Sequence, residues 1–319
     1  MGKKGRFSIA IVGLGFVGTS IGLALQREKG DYVVVGHDPD RDAVARAKKV
    51  KAVDKTSWNL VNACEGSNMV ILAVPFHEVR ATMEAIAPAL ESGALVVDLS
   101  TVKKPVRRWA EKYLLPRGIG YVGADPIPPI SSKPEPPADA FRHGTLAICT
   151  SPGTEDVPLQ ILTGLADRME MKVLFMSEEE HDSLRAVTTH LPMLLGVSFL
   201  NATAGHEAWR EIRRLAGREF DALTGVASDP EEAVSLLAAN RENIERWLGI
   251  YLQVLEKWRS ALEGGQSEAL SSTLSELLAL RDEWMGASIS GRWEERQTQE
   301  IPREGIFSRL LGIHRKDSR

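Results

Sequence analysis

Three glycines near the start of the chain have the spacing of a phosphate-binding turn. Gly13, Gly15 and Gly18 follow an alternating apolar run, Phe7–Val12, which predicts a buried strand. In such a strand–turn–helix unit, the first glycine permits a tight turn and the second lets the backbone approach a pyrophosphate. The third lets the helix pack closely on the strand, so that the helix N-terminus faces the anion. The spacing predicts a dinucleotide-binding turn; the alternative is a glycine-rich turn without a ligand.

An acidic residue, Asp38, lies just after the next apolar run, Tyr32–Val35. A carboxylate at this place in the unit accepts hydrogen bonds from a ribose diol. Because it would repel a 2′-phosphate, we predict NAD as the cofactor rather than NADP, although Arg41 is a nearby cation that opposes this preference. The other residues that we assign to the cofactor site are Leu14, Phe16, Val17, Ala73, Val74 and Pro75.

Polar residues also follow the ends of two later predicted strands. The predicted strand Gly93–Ser100 is followed by Thr101 and Lys103, and the predicted strand Ile119–Gly123 is followed by Asp125. In open α/β sheets, ligands bind beyond the carboxyl ends of the strands. Thr101 and Asp125 therefore fall at the edge of the sheet that we expect to carry the site.

The elements that position these residues alternate between strand and helix up to residue 176. This alternation predicts a Rossmann-type, doubly wound α/β domain over residues 1–176. Six prolines lie between Pro126 and Pro137. Because proline fixes φ and lacks an N–H, we expect this segment to be a stiff loop and not a central strand.

The pattern changes to helices alone over residues 177–285. We expect one long helix with a kink at Pro192, and another that begins at Asp229 and continues to Leu262. These helices carry more apolar surface than a small domain obviously buries, which indicates an all-α dimerisation domain, the alternative for each residue being an internal core. We expect the tail, residues 286–319, to dock loosely on its own or its partner subunit, the alternative being a membrane or protein contact.

The composition argues against several other classes of protein. The net charge is −4 and the pI is near 6.0, which gives no electrostatic basis for nucleic acid binding. Apolar runs are too short to span a membrane, and the basic start of the chain lacks an apolar leader. The two cysteines, Cys64 and Cys149, fit buried positions in a reducing cytoplasm. The histidines and acids lack metal-ligand spacing, so we expect no metal.

Several segments taken together resemble the prephenate/arogenate dehydrogenase family of tyrosine biosynthesis. They are GLGFVG, LAVPFHEV, VVDLSTVK, YVGADP, EEHDSLRAVTTHLP, SDPEEAVSLLAANRENI and ALRDEW, spread over residues 7–285. The resemblance implies a nucleotide-binding domain, a helical domain and a homodimer joined through those helices. It also implies hydride transfer from a ring C–OH of a cyclic carboxylate to NAD or NADP. In prephenate this transfer is coupled to loss of CO2 and driven by aromatisation of the ring.

The resemblance also suggests roles for individual residues. Thr101 occupies the position of a family serine that touches the reacting hydroxyl, and Lys103 matches a family lysine near the nicotinamide or substrate. The alternative for Lys103 is a solvated lysine at a helix start. His181 and His190 match family histidines, and Thr189 matches a family serine near the hydroxyl. On an ideal helix, positions 181 and 190 point to opposite sides, so without the kink only one of them would face the site. We assign His190 to the site because Thr189 beside it matches the family serine, and His181 is then a core or interface residue.

Three residues depart from the family pattern where it contacts substrate. Asp125 stands in place of a histidine thought to take the hydroxyl proton, Gly225 in place of an arginine that grips prephenate, and Met193 in place of a further histidine. We hypothesise that Asp125 replaces the histidine as base, or orients a hydroxyl held by Thr101. The alternative is an aspartate that caps the proline loop.

Three functions remain open at this point. The first is an NAD-dependent prephenate or arogenate dehydrogenase. The second is a related dehydrogenase that acts on a different, less carboxylated substrate. The third is an NAD-binding dimer without catalysis, and turnover of candidate substrates separates it from the other two.

Overall fold

The computed structural model of the chain describes residues 6–27, 30, 32–130, 138–150, 156–226, 229–265 and 267–290. The chain divides into two compact units, one formed by Met1–Glu178 with Leu280–Arg319 and the other by Glu179–Ala279. A single sheet organises the first unit, whereas the described residues of the second unit are built from helices. The proline-rich residues 131–137 and the tail beyond residue 290, for which we predicted a loop and a docking segment, lie outside the described residues.

The first unit contains an eight-stranded sheet. Its strands are β1 (Phe7–Val12), β2 (Tyr32–His37), β3 (Lys55–Thr56), β4 (Met69–Leu72), β5 (Leu95–Asp98), β6 (Gly120–Ile127), β7 (Thr145–Cys149) and β8 (Lys172–Met176). Their order is β3-β2-β1-β4-β5-β6-β7-β8, and every neighbouring pair is parallel except β6 and β7. The predicted Rossmann-type sheet is confirmed, while the short edge strand β3 was missed.

Helices connect the parallel strands of this sheet. They are α1 (Phe16–Arg27), α2 (Arg41–Lys49), α3 (Leu60–Cys64), α4 (Phe76–Ile86), α5 (Lys104–Tyr113) and α6 (Asp156–Arg168). Every residue of β4 and β5 is buried, because the central strands of a parallel sheet are covered on both faces. This is why β4 and the first three residues of β5 appear in the sequence as apolar runs.

The rest of the described chain is helical. Its helices are α7 (Glu178–Arg185), α8 (Leu191–Ala204), α9 (Trp209–Leu215), α10 (Arg218–Thr224), α11 (Pro230–Ala239), α12 (Arg241–Glu263) and α13 (Ser267–Ser290). Large apolar side chains are exposed along α12, among them Ile250, Leu252, Leu255 and Leu262. Among the described residues, no helix is long and apolar enough to cross a membrane.

A π-helical turn, Ala186–His190, separates α7 from α8. The N–H of Leu191 donates to the carbonyl of Ala186, the i→i−5 bond that defines such a turn. Pro192 follows directly and has no N–H to continue the regular i→i−4 series. The irregularity predicted at Pro192 is therefore present as an extra residue in the turn before it. Because this extra residue changes the helical register, the ideal-helix geometry used to compare His181 with His190 does not apply here. Both side chains are buried.

The predicted continuous helix from Asp229 to Leu262 is wrong, because it breaks at Asn240. Its start is confirmed, since the Asp229 carboxylate accepts hydrogen bonds from the N–H groups of Glu231 and Glu232 at 2.9 and 3.2 Å. Asn240, with φ −110° and ψ 23°, then separates α11 from α12. Asparagine favours such breaks because its side chain hydrogen-bonds to groups outside the helix.

Both cysteines are buried, as predicted. Cys64 lies at the end of α3 and Cys149 at the end of β7. Burial raises the pKa of the Cys64 thiol to about 12. At neutral pH this thiol is protonated and behaves as a small apolar side chain.

Strand β6 extends further than its sequence indicates. Its pairing with β5 ends at Gly123, opposite Asp98, but its antiparallel pairing with β7 continues through Asp125 to Ile127. Asp125 and Pro126 are both strand residues, whereas the predicted proline loop began at Pro126. Pro126 is tolerated because, past Gly123, the ladder on the β5 side of the strand has ended and a missing N–H is not required there.

A buried lysine fastens β5 to β6. Lys103 is fully buried, and its ammonium donates to the Asp98 carboxylate at 2.7 Å, to the Asp98 carbonyl at 3.0 Å and to the Ala124 carbonyl at 2.8 Å. Gly123 leaves room for the lysine stem, since a Cβ there would lie 2.9 Å from Lys103 Cδ. The alternative of a solvated lysine is wrong, because an ammonium with three acceptors is stable without water.

We predict that Lys103→Met lowers the free energy of unfolding by about 3–5 kcal/mol, because it leaves the Asp98 carboxylate buried without its cation. Urea unfolding followed by tryptophan fluorescence measures the change. The double variant Asp98→Asn/Lys103→Met removes both charges and should recover most of the loss. Lys104→Met, at the exposed neighbouring lysine, should change stability by less than about 0.5 kcal/mol. Equal effects of the two single substitutions would contradict this role for Lys103.

Candidate functional site

The glycine turn brings three strand ends of the first unit together. The N–H of Gly13 donates to the carbonyl of His37 at 2.9 Å, and the N–H of Ala73 donates to the carbonyl of Val12 at 2.7 Å. Gly13 has φ +94°, and a Cβ there would lie 2.4 Å from the carbonyl oxygen of Ala73. A side chain at Gly13 would thus be both strained and in collision with the β4–α4 connection. This connection contains the predicted cofactor residues Ala73, Val74 and Pro75.

The other two glycines differ in what surrounds them. A Cβ on Gly18 would lie 1.9 Å from the Gly13 carbonyl oxygen, so only glycine lets α1 pack this closely on the turn. A Cβ on Gly15 would meet no described atom within 4 Å, which leaves its backbone open to a ligand. The N–H groups of the first turn of α1, at Phe16, Val17 and Gly18, have no acceptor inside the helix. This combination fits a pyrophosphate at the helix N-terminus.

Asp38 is held against the same turn. One carboxylate oxygen accepts from the N–H of Leu14 at 2.7 Å and the other accepts from the N–H of Asp40 at 2.8 Å. The side chain is half-buried, so it keeps lone pairs on its solvent side. These bonds fix a negative charge beside the glycine turn. The structure therefore brings Gly13, Leu14 and Asp38 together as the sequence predicted.

The second group of predicted residues lies at the adjoining ends of β5 and β6. Thr101 is half-buried in the loop after β5, and Asp125 is buried in β6 with a relative exposure of 2%. Asp125 and Gly123 share one face of β6, because side chains alternate along a strand. The ammonium of Lys103 bonds to the carbonyl of Ala124, directly before Asp125. Lys103 therefore supports the backbone on which Asp125 sits, with its own N–H donors already committed.

Tyr121 is a buried residue of this region that the sequence did not single out. A Cβ on Gly123 would lie 3.3 Å from its Oη, which places that oxygen beside the lysine stem. The Oη has no hydrogen-bond partner among the described residues. Burial, with a smaller contribution from the negative charge of Asp98, raises the pKa of Tyr121 well above its usual value. The phenol is therefore neutral and acts as packing under the strand ends.

The predicted residues of the helical region lie around the π-helical turn. His190 is fully buried at the end of this turn, and the neighbouring Thr189 is half-buried. His181 lies in α7, where its Nδ1 is 3.0 Å from the Asp182 carboxylate. Met193 is buried in α8, and Gly225 ends α10 with φ −79°. The φ of Gly225 is accessible to arginine, but a Cβ at this position would lie 3.0 Å from the carbonyl oxygen of Asp221, which is a tight contact.

Asn240 is a residue of this region that sequence reasoning missed. Its amide nitrogen lies 2.7 Å from the carbonyl oxygen of Asp182 and 3.1 Å from Nδ1 of His190. The sequence feature that could have indicated Asn240 is the presence of an asparagine in the middle of an otherwise regular helical pattern. Within the described residues, no group of three or more histidines, cysteines or acids is arranged to hold a metal ion.

Comparison with known proteins matches both parts of the chain to one family. Residues 21–133 match "Prephenate dehydrogenase, nucleotide-binding domain", and residues 177–276 match "Prephenate dehydrogenase, dimerization domain". The first match begins within α1, so the glycine turn lies just before it. The two matches together cover more than half of the chain.

Individual relatives agree with this result. The chain is 24% identical to the prephenate dehydrogenase of Bacillus subtilis (strain 168) over 268 residues, which cover 82% of this chain and 72% of the relative. It is 25% identical to the cyclohexadienyl dehydrogenase of Zymomonas mobilis subsp. mobilis (strain ATCC 31821 / ZM4 / CP4) over 268 residues, which cover 82% and 90%.

A solved structure shares the fold. The prephenate dehydrogenase from A. aeolicus, in complex with hydroxyphenyl propionate and NAD+, aligns with a TM-score of 0.77 and 20% identity over 88% of this chain and 99% of that one. The resemblance that the motifs indicated is thus confirmed by sequence family and by fold. The chain belongs to the prephenate dehydrogenase family of oxidoreductases.

Proposed function

We propose that the protein is an NAD-dependent dehydrogenase that removes a hydride from a ring C–OH of prephenate or arogenate, with coupled loss of CO2. The observation that carries the proposal is the glycine turn with its anchored carboxylate, Asp38, in a chain of this family. When bound, the nicotinamide accepts the hydride. The protein must then orient the substrate and stabilise the charge that develops on its hydroxyl.

In the proposed reaction, Thr101 hydrogen-bonds the reacting hydroxyl and Asp125 accepts its proton or holds it in a hydrogen bond. The substrate gives up a hydride from the carbinol carbon, and the ring carboxylate leaves as CO2. The electron pair left by CO2 makes the ring aromatic. A proton that Asp125 has accepted returns to the oxygen, which finishes as a phenol. His190 and Thr189 serve as hydrogen-bonding groups for the substrate, whereas Lys103 acts through the backbone that carries Asp125.

We further propose a homodimer formed through the helical region. The family description of residues 177–276 as a dimerization domain supports it, as do the exposed apolar side chains of α12. A cytoplasmic location remains a prediction from the two reduced cysteines.

A related dehydrogenase that acts on a less carboxylated substrate is the second candidate. Gly225 and Met193, in place of a family arginine and histidine, favour it because neither supplies a cation. The test mixes the protein and NAD with one substrate at a time and records NADH absorbance. The substrates are prephenate, arogenate and a panel of cyclic hydroxy acids. Turnover of prephenate or arogenate supports the leading proposal, and turnover of another acid alone supports the second. NAD binding without any turnover would leave a non-catalytic dimer.

We predict that Asp38→Asn lowers the preference for NAD over NADP by about 10- to 100-fold. The amide oxygen can still accept from one of the two N–H groups, that of Leu14 or that of Asp40, but the side chain loses the charge that repels a 2′-phosphate. A charge-assisted hydrogen bond contributes about 1.5–3 kcal/mol. Affinities for both cofactors are measured by fluorescence titration. Asp40→Asn is the matched control, since asparagine retains the cap on α2 and should leave the preference unchanged. A preference unaffected by Asp38→Asn would rule out this role.

We predict that Asp125→Asn reduces kcat on the true substrate by about 10²- to 10⁴-fold while NAD affinity stays the same, because the amide cannot accept the proton. Steady-state kinetics and NAD titration measure the two quantities. Asp167→Asn, an equal change of charge at an exposed position of α6, should have no effect. If turnover by Asp125→Asn equals that of the unmodified protein, Asp125 is not the acceptor.

We predict that Gly225→Arg lowers the KM for prephenate by about tenfold or more with little change in kcat, since it adds a charge-assisted bond to a carboxylate. Gly225→Gln is the matched control, because it adds a side chain of comparable length without the charge. The expected result is a gain for arginine alone. An equal gain with glutamine, or none with either, would show that position 225 does not contact a substrate carboxylate.

A further inference from the structure

Four polar side chains are buried together in the helical unit. His181, Asp182, His190 and Asn240 each have a relative exposure of 4% or less. Two departures from regular helix lie at this cluster: the π-helical turn ends at His190, and the break between α11 and α12 occurs at Asn240. The mechanism proposed above uses His190 but gives no role to Asn240.

The orientation of the Asn240 amide follows from its partners. Its Nδ2 lies 2.7 Å from the backbone carbonyl of Asp182, and a carbonyl oxygen can only accept a hydrogen bond. Its Oδ1 lies 2.8 Å from Nδ2 of Asn243. Oδ1 of Asn243 in turn lies 3.2 Å from a guanidinium nitrogen of Arg246, which can only donate. The chain of bonds is thus fixed at both ends, and neither amide can be reversed without placing like groups against each other.

This orientation determines the tautomer of His190. The second N–H of the Asn240 amide is directed at Nδ1 of His190, over 3.1 Å. Nδ1 must therefore accept, and a neutral imidazole that accepts at Nδ1 carries its proton on Nε2. Protonation of Nδ1 would set two N–H groups facing each other in a buried place, which is unfavourable.

We propose that Asn240 is a positioning residue that holds His190 as the neutral Nε2–H tautomer, so that His190 serves the reaction as a hydrogen-bond donor and not as a base. This rests on the proposed function in so far as His190 acts on the substrate. The group that a donor recognises is an acceptor oxygen, such as a carboxylate or carbonyl oxygen of the cyclic acid. Proton acceptance then falls to another group, which is the role given to Asp125.

The tautomer can be tested on the full chain without substrate. The protein is labelled with ¹⁵N in its histidine rings, and long-range ¹H–¹⁵N spectra are recorded at neutral pH, with His190→Gln identifying the signals of His190. The expected result is an unprotonated Nδ1 and a protonated Nε2. A protonated Nδ1 on His190 in the unmodified protein would overturn the proposal, and this outcome requires no folded variant.

Asn240→Asp supplies the matched perturbation, because the carboxylate has the same shape but can only accept. We expect the His190 signals to show a protonated Nδ1 in this variant. Asn201→Asp makes the same substitution at an exposed position on α8 and should leave the His190 signals as they are. An Asn240→Asp variant with Nδ1 still unprotonated would mean that Asn240 merely packs α12 in place, and the proposal would fail.

Kinetics separate this proposal from the proposed function. If both hold, Asn240→Asp reduces kcat by about tenfold or more with NAD affinity unchanged, and Asn201→Asp has no effect. If the unmodified protein turns over no cyclic acid, the proposed function fails while the NMR result still decides the tautomer. If the tautomer changes in Asn240→Asp and turnover does not, His190 is not a donor in the reaction and the positioning role is overturned.

Discussion

The ammonium of Lys103 is the interaction on which the rest of the first unit depends. A buried cation is stable only when each of its N–H groups has an acceptor, and here these acceptors come from Asp98 and from the backbone of β6. The lysine therefore fixes where β6 runs past the end of β5. Asp125, the proposed proton acceptor, directly follows Ala124, whose carbonyl accepts from Lys103. Lys103 therefore helps to fix the position of Asp125, while its own three N–H groups are bonded to the protein and not to the substrate.

The second constraint is the close approach of backbone segments at the glycine turn. It explains why the cofactor part of the site could be predicted from the sequence. At Gly13 and Gly18 a single Cβ would collide with a neighbouring carbonyl oxygen, so the residue type at each position directly reflects the structure. The same holds for β4 and the first three residues of β5, whose burial on both faces requires apolar side chains. Asp38 follows from the same local unit. Where the fold imposes a requirement on a few adjacent residues, the sequence is enough to identify it.

The features that escaped prediction depend on contacts between residues far apart in sequence. Pro126 is acceptable in a strand because β5 stops before it, which the residues around Pro126 do not indicate. Asn240 breaks a helix whose apolar spacing continues through it, and its bonds to Asp182 and His190 are what compensate for the break. For Lys103 the sequence left open a solvated lysine, because one of its three acceptors, the Ala124 carbonyl, lies on a later strand. For Asn240 and Lys103 a long-range hydrogen bond overrides the local preference, and for Pro126 the end of the neighbouring strand does.

The pattern of retained and replaced residues bears on the charge of the substrate. The glycine turn, His181 and His190 agree with the family pattern that the motifs resemble, whereas its arginine and two further histidines are replaced by Gly225, Asp125 and Met193. Each replacement removes a group able to carry positive charge, and Asp125 adds a negative one. A substrate with two carboxylates and no cation meets a less favourable field here than it would with those groups present. Of the two proposed substrates, arogenate carries an ammonium group that offsets one of its carboxylates, and prephenate does not. Within the proposed function, the loss of these cations therefore weighs against prephenate more than against arogenate. The hydride transfer and loss of CO2 concern the ring alone and are the same for both.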